Sequence, residues 1–166
     1  MRLKRMTSGN IFKIIDENEV RYFQYFYTDQ NYLGGDLIWV FKQKTETKNL
    51  SEIIDSGYNF CFYTTIDAGV KLKKWQLIGN IEIPIKMQYY SEFRWRDIKN
   101  GDWYIIKYDG KINVGKNLNE EQSKVQPVSF QFPYGAVEYM ILSKKEFLKR
   151  IKDSEDKYYE VNGNKL

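Results

Sequence analysis

The feature that most constrains the fold of this chain is a series of short runs rich in aromatic and β-branched residues, each ended by glycine or polar residues. The run Val20–Thr28 reads VRYFQYFYT, and Asp36–Phe41 reads DLIWVF after the pair Gly34-Gly35. Such residues favour the pleated surface of a β-sheet, and glycine or polar clusters mark the turns between strands. The sequence therefore predicts a fold in which short strands dominate.

The same criteria predict strands along most of the chain. Residues 103–108 and 111–114 form the clearest hairpin, because Asp109-Gly110 supplies the positive φ angles of a type I′ turn. The apolar run 36–41 is expected to be covered on both faces. Pro84 indicates an edge or a bend. The predicted strands span residues 10–16, 20–28, 36–41, 58–65, 81–85, 103–108, 111–114, 128–132 and 136–142, with a strand end and turn at 75–80 and a turn at 133–135.

Two helices are predicted. Leu50–Asp55 is a short helical turn closed by Gly57. Ser143 and Glu146 form a capping box, in which each side chain bonds the backbone of the other residue, at the start of a C-terminal helix that ends near Asp153. Three segments remain: 68–74, which fits either kind of element, 115–127, which reads as a long polar loop, and the polar tail 154–166, which is expected to be loose.

Together these elements indicate an α+β fold, with a mainly antiparallel, strongly twisted β-sheet or partial barrel and the C-terminal helix packed on it. The length of 166 residues suits a single domain, and no linker composition divides the chain. We expect one domain over residues 1–166 with an ordered core over residues 8–153.

The composition removes most catalytic schemes. The chain has no histidine, which is the usual side chain for proton transfer near neutral pH and the commonest metal ligand. Its one cysteine, Cys61, lies in an apolar run and is expected to be a buried thiol without a base. The remaining carboxylate pairs have no supporting motif for glycosidase or metal chemistry; they are Asp97 with Asp102 and Glu120 with Glu121. We therefore predict a non-enzyme without catalytic residues, metal ligands or cofactor.

Charge and hydropathy indicate the compartment and the class of partner. The 26 basic and 22 acidic residues give a net charge of +4, which is weaker than the clustered excess usual in nucleic-acid-binding proteins. No run approaches the ~18 apolar residues of a membrane span, and the basic N-terminal segment lacks the apolar run of a signal peptide. We expect a cytoplasmic protein without membrane contact, and the oligomeric state stays open.

Arginine and aromatic residues, which are enriched at protein interfaces, define the candidate binding residues. Arg94-Trp95-Arg96, preceded by Tyr89 and Tyr90, is the strongest local pattern. In a strand, the two arginines point to one face and Trp95 to the other, which places Trp95 in the core. Asp36 is a further candidate, although its place after Gly34-Gly35 also suits a turn. The predicted partner-binding residues are Tyr89, Tyr90, Arg94, Arg96 and Asp36.

A second interpretation is a β-rich nucleic-acid-binding module that uses Arg94, Trp95 and Arg96 together with the basic C-terminal helix. Such a surface needs more aromatic residues on the arginine face than the sequence shows. Its binding would weaken steeply with salt, because phosphate contacts release counterions. The basic residues of the helix are Lys144, Lys145, Lys149, Arg150 and Lys152.

Four segments over residues 8–142 occur in the order found in the immunity protein 26 family. Ser8–Ile14 resembles the family's opening Gly-Asp-x-Phe strand, with Asn10 where an acidic residue is common. Gly35–Phe41 is similar to its Gly-x-Leu-Ile-x-Val-Phe segment. Trp75–Pro84 resembles its Trp-x-x-Ile-Gly segment that ends in proline, and Gly135–Glu138 resembles a late element that ends in Val-Glu.

The resemblance implies an immunity protein of a bacterial polymorphic toxin system, which binds a cognate toxin stoichiometrically and protects the cell from it. It brings no catalytic residues and no set of toxin contacts to this chain. The net charge of +4 argues against mimicry of nucleic-acid phosphates as the whole mechanism. A toxin protein is therefore the expected partner, and the surface that binds it stays open.

Overall fold

The computed structural model of the chain describes residues 6–14, 19–88 and 91–163. Contacts divide the chain into two compact units, the first made of residues 1–84 and 130–144 and the second of residues 85–129 and 145–166. The single domain expected from the sequence stays a prediction. Among the helices of the described ranges, none combines the length and the hydrophobicity that a membrane crossing requires.

The first unit is built on a five-stranded sheet with the spatial order β4-β3-β2-β1-β5, in which every neighbouring pair is antiparallel. The strands predicted over residues 10–16, 20–28, 36–41 and 58–65 are confirmed, and residues 75–80 form a full strand. Residues 15–16, the predicted end of the first strand, lie outside the described residues. The strands are β1 (Asn10–Ile14), β2 (Tyr22–Thr28), β3 (Asp36–Phe41), β4 (Tyr58–Thr64) and β5 (Trp75–Asn80).

A short helix, α1 (Leu50–Asp55), packs on one face of this sheet, as predicted. The chain leaves it through Gly57, whose φ of +73° is in the left-handed region that favours glycine. Helix and strands share one apolar cluster, which explains why a six-residue helix is stable here. The buried members of this cluster are Ile11, Tyr22, Phe41 and Ile53.

The opposite face carries an aromatic stack that positions a second helix, α2 (Ile66–Lys71). The rings of Phe12 and Phe23 stack with their centroids 5.1 Å apart, and Trp75 meets Phe23 edge-on at 5.1 Å. A Cβ atom at Gly69 of α2 would lie 2.1 to 2.5 Å from atoms of the Trp75 ring. Because only glycine permits that approach, the contact between Gly69 and Trp75 sets how closely α2 packs on the sheet.

A further helix, α5 (Pro133–Met140), packs beside α2, and its Tyr139 ring lies 6.3 Å from Phe62 of β4. The predicted strand 136–142 and the turn before it are therefore wrong. Pro133 stands in the first helical turn, where its missing N–H costs no hydrogen bond. The apolar residues that are buried, Ala136, Tyr139 and Met140, follow the spacing of a helix face.

Two other predicted strands of this region are wrong. Residues 128–132 form no strand, and an isolated bridge joins Phe130 to Tyr63. Residues 81–84 are irregular and lead into the short helix α3 (Ile85–Gln88). Pro84 cannot donate a hydrogen bond to a sheet, which is why the ladder of β5 does not continue through it.

The second unit holds a three-stranded antiparallel sheet with the order β6-β7-β8. The predicted hairpin is confirmed, but its turn residues are Tyr108 and Asp109, and Gly110 already pairs with Lys107. Positive φ occurs at none of these turn positions, so the type I′ turn is wrong. The strands are β6 (Phe93–Arg96), β7 (Trp103–Lys107) and β8 (Gly110–Gly115).

Two helices of this unit differ from the sequence-based expectation. The loop predicted for residues 115–127 contains α4 (Glu120–Lys124), which Asn119 and Gln122 cap reciprocally. The C-terminal helix α6 (Lys144–Gly163) does not end near Asp153 but includes most of the tail that was expected to be loose. The second half of α6 has a polar sequence, which by itself does not stabilise a helix. Its tertiary contacts with β6, described below, stabilise it instead.

Antiparallel sheets and helices occur in both units, and the chain is thus α+β, as predicted. Cys61 is a buried thiol in β4, which also agrees with the sequence.

Replacing Gly69 with alanine tests the contact that positions α2. Alanine raises helix propensity by about 1 kcal/mol, but the added methyl collides with a buried ring, and such overpacking costs about 1–3 kcal/mol. Because the Cβ would lie within 2.5 Å of the ring, we expect a cost in the upper part of this range, about 2–3 kcal/mol, and a net fall of about 1–2 kcal/mol in the free energy of unfolding, measured by urea denaturation. The control Gly110→Ala places its Cβ in open space and should change stability by less than about 0.5 kcal/mol. Unchanged stability of Gly69→Ala would contradict the tight contact.

Candidate functional site

Asp36, a predicted binding residue, is buried at the start of β3 in the first unit. Its Oδ1 accepts a hydrogen bond from Thr28 Oγ1 at 2.7 Å, and its Oδ2 accepts one from the backbone N–H of Ile66 at 2.8 Å. Ile66 is the first residue of α2, where a carboxylate is favourable because the first N–H groups of a helix have no partner within it. Asp36 thus anchors the start of α2.

Arg94, the second predicted residue, is buried in β6 of the second unit. Its Nε and Nη2 donate to the two carboxylate oxygens of Glu155 on α6, at 3.1 and 2.5 Å. Its Nη1 donates to the carbonyl oxygens of Ser123 and Val125. A buried charge is tolerated when it is paired and hydrogen-bonded in this way. The guanidinium therefore joins α6 and the C-terminal end of α4 to the sheet.

Arg96 is half-buried and packs against two aromatic rings. Its Cζ lies 5.8 Å from the ring centroids of both Trp103 and Tyr159, and its Nε donates to the carbonyl of Gly101 at 3.1 Å. The Tyr159 hydroxyl accepts from the Arg96 backbone N–H at 2.8 Å and donates to the Arg96 carbonyl at 3.2 Å. Burial raises the pKa of Tyr159 to about 12, so this hydroxyl keeps its proton at neutral pH.

The predicted alternation of β6 is confirmed, because both arginines reach α6 while Trp95 contacts Tyr104 on β7, with 5.6 Å between the ring centroids. Trp95 is, however, half-buried rather than in the core. Lys111 places its Nζ 5.8 Å from the Trp95 ring centroid and 4.8 Å from that of Tyr104. The exposed end of the Arg-Trp-Arg motif is thus an aromatic pair under a lysine.

The predicted binding residues therefore divide between the two units. Asp36 lies in the first, Arg94 and Arg96 lie in the second, and Tyr89 and Tyr90 lie outside the described residues. The three that the structure describes use their polar groups for bonds inside their own unit. Their roles in partner binding stay predictions.

The carboxylates that could have served catalysis are also engaged in local structure. Lys116 and Asn113 hydrogen-bond to Asp102 and lower the pKa of its carboxyl. Asp97 accepts a hydrogen bond from the backbone N–H of Lys99 at 2.8 Å. Glu120 and Glu121 both pair with Lys124. In the part of the chain that the structure describes, no group of three acidic or cysteine side chains is placed to hold a metal ion.

Each unit has a concave region lined by described residues. A pocket of about 80 Å³ lies between α2 and the sheet of the first unit, smaller than the ~300 Å³ of a typical ligand site. A groove of about 410 Å³ in the second unit is lined by apolar residues of the sheet and by the charged residues Glu92, Lys107 and Glu121. Glu92 pairs with Lys107 at 2.7 Å, and Glu121 pairs with Lys124. The first region is small and the charges of the second are paired, so we turn to the exposed surface.

The most prominent exposed feature of the first unit is an aromatic pair at the start of α5. Phe132 is 71% exposed and Tyr134 is 61% exposed, whereas Pro133 between them is buried. Phe132 meets Phe130 edge-on at 5.4 Å, and Lys74 places its Nζ 4.9 Å from the centroid of the Tyr134 ring. Two large side chains are thereby held outward on a backbone that is fixed by the helix and the buried proline.

Lys74, which contacts Tyr134, belongs to a set of three lysines at the end of α2 and in the connection to β5, together with Lys71 and Lys73. Leu72, Lys73 and Lys74 are all that separates α2 from β5, so the chain must reverse sharply. Lys73 does so with a φ of +55°, and the N–H groups of Lys73 and Lys74 donate to the carbonyls of Val70 and Gly69. This is a Schellman motif, whose left-handed position is usually glycine. We call the set formed by Lys71, Leu72, Lys73, Lys74, Phe132 and Tyr134 the lysine–aromatic surface.

Sequence reasoning missed this surface because it depends on two errors of secondary structure. The sequence of residues 68–74 fits either a helix or a strand, and residues 133–142 were expected to form a turn and a strand. A signal was present in both places: Pro133 suits the first turn of a helix, and residues 136, 139 and 140 have helical spacing. The proximity of Lys74 to Tyr134, 60 residues away, is a tertiary contact that no local pattern contains.

Comparison of the chain with protein-family models, with curated proteins and with solved structures gave no significant match.

The Arg94–Glu155 pair generates a first prediction for the second unit. Glu155→Ala leaves a buried guanidinium without its counter-ion, and breaking a buried pair in this way costs about 3–5 kcal/mol. The matched control is Asp153→Ala, which breaks the exposed pair with Lys149 on the same helix and should cost less than about 0.5 kcal/mol. Urea denaturation followed by circular dichroism measures both. Similar losses in the two variants would contradict the importance assigned to the buried pair.

The conformation of Lys73 generates a second prediction. Glycine adopts a positive φ without the steric cost that a Cβ atom imposes, so Lys73→Gly should raise the free energy of unfolding by about 0.5–1 kcal/mol. The control Lys71→Gly removes a side chain from the last residue of α2 and should instead lower it by about 0.5–1 kcal/mol. Denaturant titration of both variants checks the two signs, and a destabilised Lys73→Gly would refute the left-handed assignment.

Proposed function

We propose that this chain is an immunity protein that binds a bacterial toxin stoichiometrically and blocks its action. The proposal begins from the resemblance to the immunity protein 26 family. The segments that carry it form β1, β3, β5 and the middle of α5, and all of them belong to the first unit. The same unit presents the lysine–aromatic surface, so the resemblance and the candidate interface concern one part of the chain.

The observation that carries the proposal is the exposed aromatic pair Phe132 and Tyr134. Interface residues that contribute most to binding are enriched in aromatic side chains, which bury a large area at a low cost in side-chain entropy. Here that cost is reduced further, because Phe130 and Lys74 already restrict the two rings. A pair of this kind on a fixed backbone is suited to insertion into a pocket of a partner.

Binding of this type requires no reaction. An inhibitor acts by occupying surface that a toxin needs, and the affinity depends on a few well-packed anchors rather than on the whole contact area. The carboxylates considered above as catalytic candidates are engaged in local structure, which is consistent with a protein that acts by binding. The role of the chain is therefore that of a partner that binds and occludes.

Nucleic-acid binding is the second candidate, and the exposed basic residues of α6 favour it. The arginines on which it was first based give it less support, since Arg94 is buried against Glu155 and Arg96 packs against Trp103 and Tyr159. On α6, Lys149 pairs with Asp153. A binding surface for phosphates needs cations that are free to reach them, so we rank this function below toxin binding.

The proposed function predicts a specific loss on truncation of the aromatic pair. The wild-type chain, co-expressed with the toxin encoded next to its gene, should protect the cell and co-purify with the toxin. The double variant Phe132→Ala/Tyr134→Ala should weaken the complex by about 3 kcal/mol, or about 100-fold in Kd, because it removes both anchors. Isothermal titration calorimetry with an inactive toxin variant measures this change.

The control for this prediction is the double variant Tyr108→Ala/Ile112→Ala. These two side chains are also about half exposed, but they lie on the β7–β8 hairpin of the second unit. The control should bind within about threefold of wild type. If the wild-type chain forms no complex and gives no protection, the proposed function is wrong. If only the control variant loses affinity, the assigned surface is wrong.

A further inference from the structure

The lysines beside the aromatic pair lack the acidic partner that several lysines elsewhere in the described chain have. Lys13, Lys107, Lys116, Lys124 and Lys149 each pair with a carboxylate at the surface. By contrast, Lys71 and Lys73 are exposed and form no ion pair with a described residue. Lys74 contacts the Tyr134 ring rather than a carboxylate. Three positive charges thus lie within four residues without an acidic partner in the described chain.

The position of Lys73 strengthens this difference. The Schellman turn at the end of α2 would be more stable with glycine, and glycine would carry no charge. With lysine, the turn directs a cation outward next to Lys71 and Lys74 at a cost in stability. A residue held in a left-handed conformation against its preference is a reason to ask what its side chain contributes.

The aromatic pair and the lysines form one surface. The 4.9 Å distance from Lys74 Nζ to the Tyr134 ring centroid links the two sets, and α2 and α5 pack together beneath them. A partner that buries the rings must bring its own groups close to the lysines. Unpaired cations at an interface favour partners with opposite charge, because complementary charges speed association and exclude wrong partners.

We propose that the lysine–aromatic surface binds an acidic segment of a protein partner. Carboxylates of that segment contact Lys71 and Lys73, and an apolar side chain between them packs on Phe132 and Tyr134. This inference rests on the proposed function in identifying the partner as the toxin. It adds the chemistry of the toxin surface, which neither the resemblance nor the aromatic pair specifies.

Single-stranded nucleic acid is the competing ligand for lysines beside aromatic rings, and the geometry favours the acidic segment. Strand binding uses successive rings for base stacking and cations that follow the backbone over roughly 4–16 nucleotides. Here the cations come from one four-residue segment, one face of Tyr134 is covered by Lys74, and Phe132 is edge-on to Phe130. Such a compact set of charges suits a few carboxylates better than an extended phosphate backbone.

The test uses the full chain labelled with ¹⁵N and two probes in separate titrations. One probe is a short peptide of glutamates around a central leucine, and the other is a single-stranded oligothymidylate of similar charge. We expect the peptide to shift the amide resonances of residues 71–74 and 134–135. The variant Lys71→Glu/Lys73→Glu/Lys74→Glu should weaken peptide binding about tenfold or more, since the two charge contacts become repulsive and a third negative charge is added beside them.

The matched control is the variant Lys145→Glu/Lys152→Glu/Lys157→Glu. It reverses the charge of three exposed lysines of α6 and changes the net charge by the same amount. It should weaken peptide binding less than about threefold, which is the screened effect of overall charge. Equal losses in the two variants, or peptide shifts that map to α6, would overturn the proposal. Tighter binding of the oligothymidylate at residues 71–74 would also overturn it and assign the surface to nucleic acid.

A final arm with the inactive toxin separates this inference from the proposed function. If the lysine variant loses toxin binding at least tenfold while the α6 control does not, the acidic contact is supported. If the lysine variant binds the toxin as wild type does while Phe132→Ala/Tyr134→Ala does not, the inference fails and the proposed function stands. If the peptide binds at residues 71–74 and the toxin does not bind at all, the proposed function fails and the acidic-segment site stands with another partner.

Discussion

The contact between Gly69 and the Trp75 ring determines where the main features of the first unit lie. The Trp75 Nε1 atom is buried without a hydrogen-bond partner among the described residues, so apolar packing alone fixes the ring. The ring rests on Phe23, and α2 approaches it closely because Gly69 has no side chain. Asp36 fixes the other end of the helix through the N–H of Ile66. With both points set, the short connection to β5 places Lys74 against Tyr134 at the start of α5.

Charge has two different roles in this chain. In the second unit, the buried pair of Arg94 and Glu155 joins α6 to β6, and Tyr159 one turn later bonds the backbone of Arg96. These groups are protected from solvent, and a charge that lost its partner in such a buried place would be costly. Together they hold α6, whose exposed face is polar. In the first unit, Lys71 and Lys73 remain in water, where an unpaired cation costs little. Such cations are available for a partner.

Residue type alone misjudged these roles. The Arg-Trp-Arg motif has the composition of a binding surface, yet its first arginine is a structural group, and the exposed part is Trp95 with Tyr104 beneath Lys111. Phe132 and Tyr134 are aromatic residues of the kind found in protein cores, yet both are largely exposed. Whether such a residue is structural or is available to a partner depends on its burial, and burial depends on which elements pack together.

The sequence by itself determined β1 to β4 and the β7–β8 hairpin, because aromatic and β-branched runs bounded by glycine or polar residues specify extended structure locally. The six-residue α1, the buried Cys61, the shared face of Arg94 and Arg96, and the α+β class followed from the same patterns. Only the tertiary structure decided that residues 133–140 are helical, that α6 continues to Gly163, and that Lys74 lies beside Tyr134. The physical reason is that these features depend on contacts between residues far apart in the chain, such as Tyr139 with Phe62 and Glu155 with Arg94, which outweigh local preference.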